Sequence, residues 1–315
     1  MKFAVLSLNP GIDRALYLNE PLNQGHMNRA AKTVTSQGSK GANVSIVLRR
    51  LGYDVTYYSF TGGLYGDLCE RILEKEGIKS VYVKTECGIR VNTKVTDGDG
   101  VCTELNEKGG PVSEAEFEKL TQLFLQDEAE VVFMCGSFPQ GVGKDAYRRL
   151  TAAEKSLGRR VVLDCDGEAL VQGIQAGPDV IKPNTDELLG LMNNAGLCET
   201  FPEGCGKDLD FIAKCCGKVA ERYSLDTLLC TMGPQGAICV KGGKTTFCEA
   251  APVERVGFSG AGDTFLAGFA AARYSDGLGD DEALKFASAC AGAKIVLEGT
   301  SLPDAEGVRR VLALM

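Results

Sequence analysis

The hydrophobic residues of the chain fall either in short unbroken runs or at helical spacing, and the two patterns alternate. The run FAVLSL (residues 3–8) stops at an Asn-Pro-Gly turn, which is typical of a buried parallel strand. In residues 40–52 the apolar positions recur at i, i+3, i+4 and i+7 from Val44 and stop before Gly52, which predicts a helix. Residues 54–60 (DVTYYSF) predict the next strand.

The same alternation continues along the rest of the chain. It predicts strands at 131–135, 161–165, 180–182 and 227–231, and helices that include 117–124, end at 158, begin at 185 and span about 261–274, 280–297 and 304–313. Strands separated by helices indicate a mostly parallel sheet that is covered on both faces. The pattern therefore predicts an α/β fold.

Two segments, residues 12–36 and 81–105, break this rhythm. Both are rich in Val and Thr and alternate apolar with polar residues, and the second turns at Asp97-Gly98, a hairpin pattern. We expect them to form a small separate sheet inserted into the main one. Such a sheet exposes one apolar face unless a partner surface covers it, either the mouth of an active site or a second subunit.

Composition and charge exclude several classes of function. The net charge of −8 argues against a nucleic-acid or anionic-membrane partner, since these require clustered Lys and Arg. The thirteen cysteines show no metal-ligand spacing and His26 is the only histidine, so neither a zinc site nor a Ser-His-Asp enzyme is expected. With no apolar stretch of about 18 residues and only a short run at the N-terminus, a cytoplasmic location is expected.

The stretch GFSGAGDTFLAGF places Gly260, Ala261 and Gly262 directly before one acid, Asp263, and an apolar helix. Glycines let the amides turn outward at the start of the helix, where the helix dipole adds positive potential and favours an anion. These amides would keep Asp263 ionised and ready to take a proton from a hydroxyl group, which suits phosphoryl transfer. An N-capping loop that binds nothing has the same residue types. The chain contains neither a P-loop nor a Rossmann glycine motif.

Seven segments, in the same order, resemble the motifs of the PfkB, or ribokinase-like, sugar kinases. They are LNPGID (8–13), GSKGANVSIVLRRLG (38–52), GGLYGD (62–67), CGSFPQG (135–141), IKPNTDEL (181–188), TMGPQGA (231–237) and GAGDTFLAGF (260–269). LNPGID combined with TELN (103–106) and IKPN is similar to the 1-phosphofructokinase and tagatose-6-phosphate kinase branch. The resemblance implies one ribokinase-like, three-layer α/β/α kinase domain over residues 1–315, in which the segments at about 12–36 and 81–105 form a lid.

The resemblance also implies the residues that bind substrate and catalyse transfer. Asp263 would be the general base, with Gly260, Ala261 and Gly262 as the anion hole. Asp13 would hold sugar hydroxyls, and Arg90 would bind a substrate phosphate with its planar fork of donors. The full substrate set is Asp13, Gly38, Lys40, Gly41, Asn43, Arg90, Asn92 and Ser137.

On the nucleotide side the resemblance implies that the enzyme uses ATP and Mg²⁺. Glu187 would orient water bound to Mg²⁺ near the nucleotide phosphates. The residues that would contact the nucleotide are Lys182, Asn184, Glu187, Thr231, Gly233, Gly236 and Gly292.

The chain departs from the family pattern at several positions. Ser39 replaces a glycine of the GGKG segment, Ile89 replaces the threonine of TRxN, and Asp166 adds a negative charge. Residues 257–259 (Gly-Phe-Ser) stand where an Asn or Asp followed by Thr is usual. Carbonyl groups in that region hold a monovalent cation in some relatives, so dependence on potassium is open.

The resemblance predicts an ATP-dependent sugar-phosphate kinase that converts D-fructose 1-phosphate to fructose 1,6-bisphosphate. Tagatose 6-phosphate and fructose 6-phosphate are the alternative substrates, because Arg90 and Lys40 can receive a phosphate at either end of the furanose. A sugar-phosphate sensor without catalysis is the alternative from a different class. A homodimer formed through the lid sheets is also expected.

Overall fold

The computed structural model describes residues 1–198, 200–257 and 259–315. Within them the strands are β1 (Lys2–Ser7), β2 (Gly11–Tyr17), β3 (Lys32–Gln37), β4 (Asp54–Thr61), β5 (Lys79–Lys84), β6 (Arg90–Thr96), β7 (Cys102–Asn106), β8 (Val131–Cys135), β9 (Arg160–Asp164), β10 (Val180–Ile181), β11 (Thr227–Thr231), β12 (Ala237–Lys241) and β13 (Lys244–Cys248). The helices are α1 (Lys40–Arg50), α2 (Gly63–Lys75), α3 (Glu114–Leu125), α4 (Ala146–Ser156), α5 (Gly167–Gly173), α6 (Thr185–Asn194), α7 (Leu209–Tyr223), α8 (Ala261–Ala270), α9 (Asp280–Ile295) and α10 (Ala305–Leu312).

The central sheet has nine strands in the order β13-β12-β11-β10-β9-β8-β1-β4-β5. Neighbours from β11 to β5 pair in parallel, whereas β12 and β13 add an antiparallel hairpin at one edge. The mostly parallel α/β sheet expected from the sequence is confirmed. The strands at 131–135 and 227–231 begin and end at the predicted residues.

Side chains of one strand show how the two faces of the sheet are covered. Along β1, Ala4 and Leu6 enter one hydrophobic cluster, while Phe3 and Val5 enter another on the opposite face. Successive residues of a strand point to opposite faces, so a strand that is apolar at every position is buried on both. Helices pack on each side, and the three-layer arrangement is confirmed.

A second sheet has the order β3-β2-β6-β7. The β2–β3 and β6–β7 pairs are antiparallel, and β2 pairs in parallel with β6. The predicted hairpin forms around Asp97, whose side chain accepts hydrogen bonds from the amides of Asp99 and Val101.

The sequence assigned residues 81–105 as a whole to this small sheet, and for residues 81–84 that prediction is wrong. They belong to β5, which pairs with β4 at the edge of the central sheet. An edge strand alternates apolar and polar residues as a lid strand does, so the period alone does not separate the two. The buried Val83 packs into the main core. Among the residues described, no helix has the length and apolar character needed to cross a membrane.

Candidate active site

Functional side chains collect where the parallel strands of the central sheet end. Polar residues lie at or just after the carboxyl ends of five neighbouring strands: Asn9 after β1, Ser137 after β8, Asp164 at the end of β9, Lys182 after β10 and Thr231 at the end of β11. Carboxyl ends of parallel strands meet at one edge of the sheet, where open α/β sheets bind their ligands.

A cleft of about 370 Å³ lies between this edge and the second sheet. Its lining residues are Ser7, Asn9, Asp13, Gly38, Ser39, Lys40, Asn43, Arg90, Asn92, Lys94, Glu104, Asn106, Gly136, Ser137, Asp166, Ser259, Gly260 and Asp263. All the predicted substrate residues except Gly41 line this cleft. Gly41 lies beneath it, where a Cβ would lie 2.9 Å from the Cβ of Ser7, so a glycine is needed there to let α1 approach β1.

Asp263 is the third residue of α8 and is only 7% exposed. Its Oδ2 accepts a hydrogen bond of 2.7 Å from Asn43 Nδ2. Burial and the nearby negative charge of Asp164 raise the pKa of Asp263 to about 6, against the opposing effects of Lys40 and the Asn43 bond. With this pKa the carboxyl is mainly ionised at neutral pH, and a pKa close to the working pH is what a general base needs. A role of the backbone amides in keeping it ionised stays a prediction.

Asp164 is the centre of a buried group of charges that sequence reasoning missed. Its Oδ1 lies 3.3 Å from Lys40 Nζ and 3.6 Å from Lys182 Nζ. Burial alone would raise the pKa of Asp164, but the two ammonium groups lower it below its usual value. Burial likewise opposes the charge on Lys40, yet Asp164 and Asp263 raise the pKa of Lys40 above its usual range. In the sequence, the position of Asp164 near the end of the otherwise apolar run VVLDC could have indicated this buried group of charges.

Asp13 lies on the floor of the cleft and has two partners from β6. Asn92 Nδ2 donates to its Oδ1 at 2.9 Å, and Lys94 Nζ lies 2.9 Å from its Oδ2. Lys94, which was not predicted, also donates to the Ser259 hydroxyl at 2.5 Å. Since successive even positions of a strand share one face, Lys94 lies on the same face as Asn92 and Arg90, and all three line the cleft.

Arg90 carries an unused hydrogen-bonding group in this cleft. Its Nε is buried and without a partner among the described residues. Burial lowers the pKa of the guanidinium, and the negative charge of Asp13 offsets part of this effect. A buried, unpaired guanidinium nitrogen is costly, so an anionic ligand that accepts from it would be bound favourably. At the opposite wall, Asn9 donates to the Ser137 hydroxyl at 3.1 Å.

The start of α8 has the backbone geometry expected of an anion hole. Gly260 is its N-cap with φ of +87°, a conformation that favours glycine, and it has no side chain with which to cap the first amides. A Cβ at Gly262 would lie 3.2 Å from Lys182 Nζ, so that ammonium group lies against the first turn. Ala261 and Gly262 adjoin the cleft residues Gly260 and Asp263 along the chain.

The predicted nucleotide residues lie along the same edge, towards β11. Asn184 caps α6, and its backbone amide donates to Glu187 Oε2 at 2.8 Å in a reciprocal capping box. Asn184 also bridges to Thr231 across the strand ends. Gly233 and Gly236 have positive φ in the turn that follows β11.

Gly292 lies apart from these residues, within α9. A Cβ there would lie 2.5 Å from the Cβ of Ala251 and 2.9 Å from a methyl carbon of Val311. Close packing of α9 against Ala251 and against α10 therefore explains this glycine, and a contact with nucleotide stays a prediction.

Two departures from the family pattern have structural reasons. The Ser39 hydroxyl caps α1 by accepting from the amide of Ala42 at 3.2 Å, and it lies 3.2 Å from the Tyr57 hydroxyl. Ile89 packs against the core on the α1 and α8 side of the sheet. Phe258, a further departure, lies outside the described residues.

The residues present suit a Mg²⁺–nucleotide complex better than a metal held by protein alone. Among the described residues no group of three or more His, Cys, Asp or Glu side chains could hold a metal ion. Mg²⁺ bound with a nucleotide needs only one or two carboxylates, the remaining ligands being phosphates and water. Asp164 Oδ2 is buried and lacks a partner among the described residues, and Glu187, in the first turn of α6, acts electrostatically on Lys40 as Asp164 does.

A three-layer α/β fold with a buried acid at a helix N-terminus, beside a cleft lined by Arg90 and Lys40, is the arrangement expected of a phosphotransferase that acts on a hydroxyl group. The model of the pfkB family carbohydrate kinases matches residues 7–306. The chain belongs to this family and is a kinase that acts on a sugar hydroxyl. The resemblance inferred from its motifs is confirmed.

Three proteins illustrate what this chain is similar to in sequence or in structure. A 1-phosphofructokinase of Borreliella burgdorferi is 33% identical over 310 residues, covering 98% of this chain and 95% of that protein. A tagatose-6-phosphate kinase of Staphylococcus epidermidis is 30% identical over 290 residues, covering 90% of this chain and 89% of that protein. Among solved structures, phosphofructokinase-2 of Escherichia coli in complex with substrates and products aligns with a TM-score of 0.90 at 25% identity, covering 99% of both chains.

Proposed function

We propose that the protein transfers the terminal phosphoryl group of ATP to D-fructose 1-phosphate and forms fructose 1,6-bisphosphate. The position of Asp263 carries this proposal: a buried carboxyl with a pKa of about 6, at the start of α8, in the same cleft as Asp13 and Arg90. Relatives named 1-phosphofructokinase, matched over most of both chains, support fructose 1-phosphate as the substrate.

The cleft offers each part of a sugar phosphate a suitable partner. Asp13 accepts hydrogen bonds from sugar hydroxyls, Arg90 binds the phosphate through its free Nε, and Asn92 holds Asp13 in place. The attacking hydroxyl lies at Asp263, which takes its proton as the new bond to phosphorus forms. The amides at residues 261–263 stabilise the negative charge on the migrating group.

The nucleotide phosphates lie beside Lys182 and the first turn of α8, with the base towards the Thr231 turn. Lys40 and Lys182 supply fixed positive charge there, and both lie close to Asp164. Mg²⁺ would neutralise phosphate charge when bound with ATP, and Asp164 and Glu187 are the carboxylates placed to hold it or its water.

Tagatose 6-phosphate is the second candidate substrate, because two relatives at 30% identity are tagatose-6-phosphate kinases. Both sugars are furanoses with a phosphate at one end and a free hydroxyl at the other. A cleft with cations on β6 and at the start of α1 accepts either orientation.

A panel of sugar monophosphates in a coupled assay of ADP release tests the proposal. Fructose 1-phosphate should give the highest kcat/KM, followed by tagatose 6-phosphate and fructose 6-phosphate. A preference for unphosphorylated ribose or a nucleoside would overturn the assignment. Binding of sugar phosphate in calorimetry without any ADP release would instead identify a sensor.

The expected homodimer is proposed to form through the second sheet. Val101 and Leu105, at the β6–β7 hairpin, are 60% and 62% exposed, so this sheet presents apolar surface that a second copy would cover. Sedimentation should show a dimer that Leu105→Lys weakens, and a strictly monomeric wild-type protein would overturn the proposal. A cytoplasmic location stays a prediction.

A further inference from the structure

The side chain of Lys294 is fully buried, although no step of the proposed reaction uses it. It lies in the last turn of α9, and its Nζ donates to the carbonyl of Gly299 at 2.9 Å. Burial and the positive charge of Lys94 lower its pKa to about 8, so the amine is mainly protonated at neutral pH. A buried ammonium group is costly to maintain, and lysines are rarely found inside proteins without a partner.

The carbonyl that Lys294 binds belongs to a loop in contact with the segment before the anion hole. The amides of Val256 and Gly257 both donate to the carbonyl of Ile295, at 2.8 and 2.9 Å. A Cβ at Gly257 would lie 3.4 Å from the carbonyl oxygen of Gly299. Gly260, the N-cap of the anion-hole helix, follows three residues later in the chain. Lys294 therefore binds a loop that contacts the segment leading to the anion-hole helix.

The second sheet holds the same loop from its other side. The hydroxyls of Ser36 and Thr300 lie 2.6 Å apart, and Lys32 forms an ion pair of 2.6 Å with Glu298. A loop held by the second sheet, by the segment at residues 256–257 and by a buried ammonium group has few ways to shift. A displaced loop would carry the first turn of α8 with it, and small displacements of catalytic groups cost much of the rate.

A potassium ion in this region would require backbone carbonyl oxygens as ligands. Here the ammonium group of Lys294 already binds one such carbonyl, and Lys94 adds a second positive charge nearby. An additional cation would be repelled by both amines in a buried environment, where charge interactions are strong. The residues present therefore do not fit a monovalent metal ion.

We propose that Lys294 is a built-in cation that positions the anion hole and makes the kinase independent of potassium. This inference rests on the proposed kinase function. Lys294 does not touch substrate and acts through the loop at residues 295–299, so it is a positioning residue. Its effect should therefore appear in kcat more than in the KM for sugar phosphate.

The first test compares turnover of the wild-type protein in lithium, sodium, potassium and caesium chloride at one ionic strength. Turnover should be the same in all four salts. Activation by potassium over sodium would overturn the proposal. A wild-type protein without kinase activity in any salt would instead refute the proposed function, so the two failures are distinguishable. This test does not depend on the folding of any variant.

The second test removes the amine. K294A and K294M should each lower kcat roughly 10-fold or more, the scale on which lost preorganisation affects transfer. Potassium and ammonium ions, which have similar radii, should restore part of kcat in K294A, where the shortened side chain leaves space. They should not restore it in K294M, whose side chain fills that space.

Lys285 provides the matched control, because it lies on the exposed side of the same helix. K285A should retain the wild-type kcat and show no response to potassium. Circular dichroism and thermal unfolding establish that K294A is folded. A folded K294A that loses activity and responds to no cation would overturn the role assigned to the charge.

Discussion

Asn43 donates from its Nδ2 to Oδ2 of Asp263 at 2.7 Å, and the direction of this bond is set by a chain of neighbouring amides. Gln37 Oε1 accepts a hydrogen bond from the backbone amide of Ser39. The Nε2 of Gln37 therefore faces Asn43 and donates to its Oδ1. With its oxygen occupied, Asn43 can offer only its NH₂ group to the carboxyl. A glutamine at the end of β3 thus orients the proposed base in α8.

Asp263→Asn removes the proposed base and keeps the side-chain shape. We expect kcat to fall by roughly 10²–10⁴-fold, the usual contribution of a positioned general base, because the amide cannot accept the hydroxyl proton. Binding of ATP, measured by calorimetry, should remain close to that of the wild type. A variant with the wild-type kcat would remove Asp263 from the mechanism.

The pKa of Asp263 predicts an acid limb in the pH profile of kcat/KM. Only the ionised carboxylate accepts a proton, so activity should be full above pH about 7 and fall as the pH drops through about 6. Asn43→Ala removes a hydrogen bond that favours the charged form, which raises the pKa and should move this limb to higher pH. Asn193→Ala, an exposed change on α6, is the control, and an unmoved limb in Asn43→Ala would contradict the assignment.

Gln37→Glu tests the chain of amides. A carboxylate at position 37 cannot donate to Asn43 Oδ1, so the Asn43 amide should turn its NH₂ group towards it and its oxygen towards Asp263. The acid limb should again move to higher pH. In a double-mutant cycle, Gln37→Glu and Asn43→Ala should be strongly non-additive, because both act through one hydrogen bond. Additive shifts would show that Gln37 acts independently of Asn43.

The sequence predicted the secondary-structure elements and the motif residues better than it predicted the side chains that contact those motif residues. Short runs of mainly apolar residues placed β8 and β11, because strands that are buried on both faces lack the regular alternation with polar residues. The alternation of apolar and polar residues could not distinguish β5 from the lid strands, since edge and lid strands are both half exposed. Motif order brought Asp13, Arg90 and Asp263 together only through the resemblance.

Gln37 was missed although its partner Asn43 lies only six residues along the chain. Lys94 and Asp164 each act on a motif residue that is distant in the chain, and the contact exists only after the sheets have assembled. Neither spacing nor composition records such a pair. The buried Lys294 is a further case, because a lysine near a helix end is ordinarily an exposed residue.

Arg90→Met tests the proposed phosphate contact. Nε of Arg90 has no hydrogen-bond partner among the described residues, so a phosphate that accepts from it would satisfy it. A hydrogen bond to a charged group contributes about 1.5–3 kcal/mol, so its loss corresponds to roughly a 10–100-fold rise in the KM for sugar phosphate. The KM for ATP should change little. Arg14→Met is the matched control, since Arg14 is exposed on the neighbouring strand β2. An equal rise in both KM values would place Arg90 outside the sugar site.

Ser39 allows a test of stability at a position where the chain departs from its family. Its hydroxyl caps α1 and lies beside the fully buried Tyr57 hydroxyl, so Ser39→Ala should lower the free energy of unfolding by about 1 kcal/mol. Ser39→Gly should cost less at the cap, a few tenths of a kcal/mol, because glycine is itself an accepted N-cap residue. Urea unfolding of both variants measures the difference. Ser156→Ala, at an exposed helix end, is the control and should stay within about 0.5 kcal/mol of the wild type. If Ser39→Gly is less stable than Ser39→Ala, the Tyr57 contact or packing, rather than the cap, decides stability at position 39.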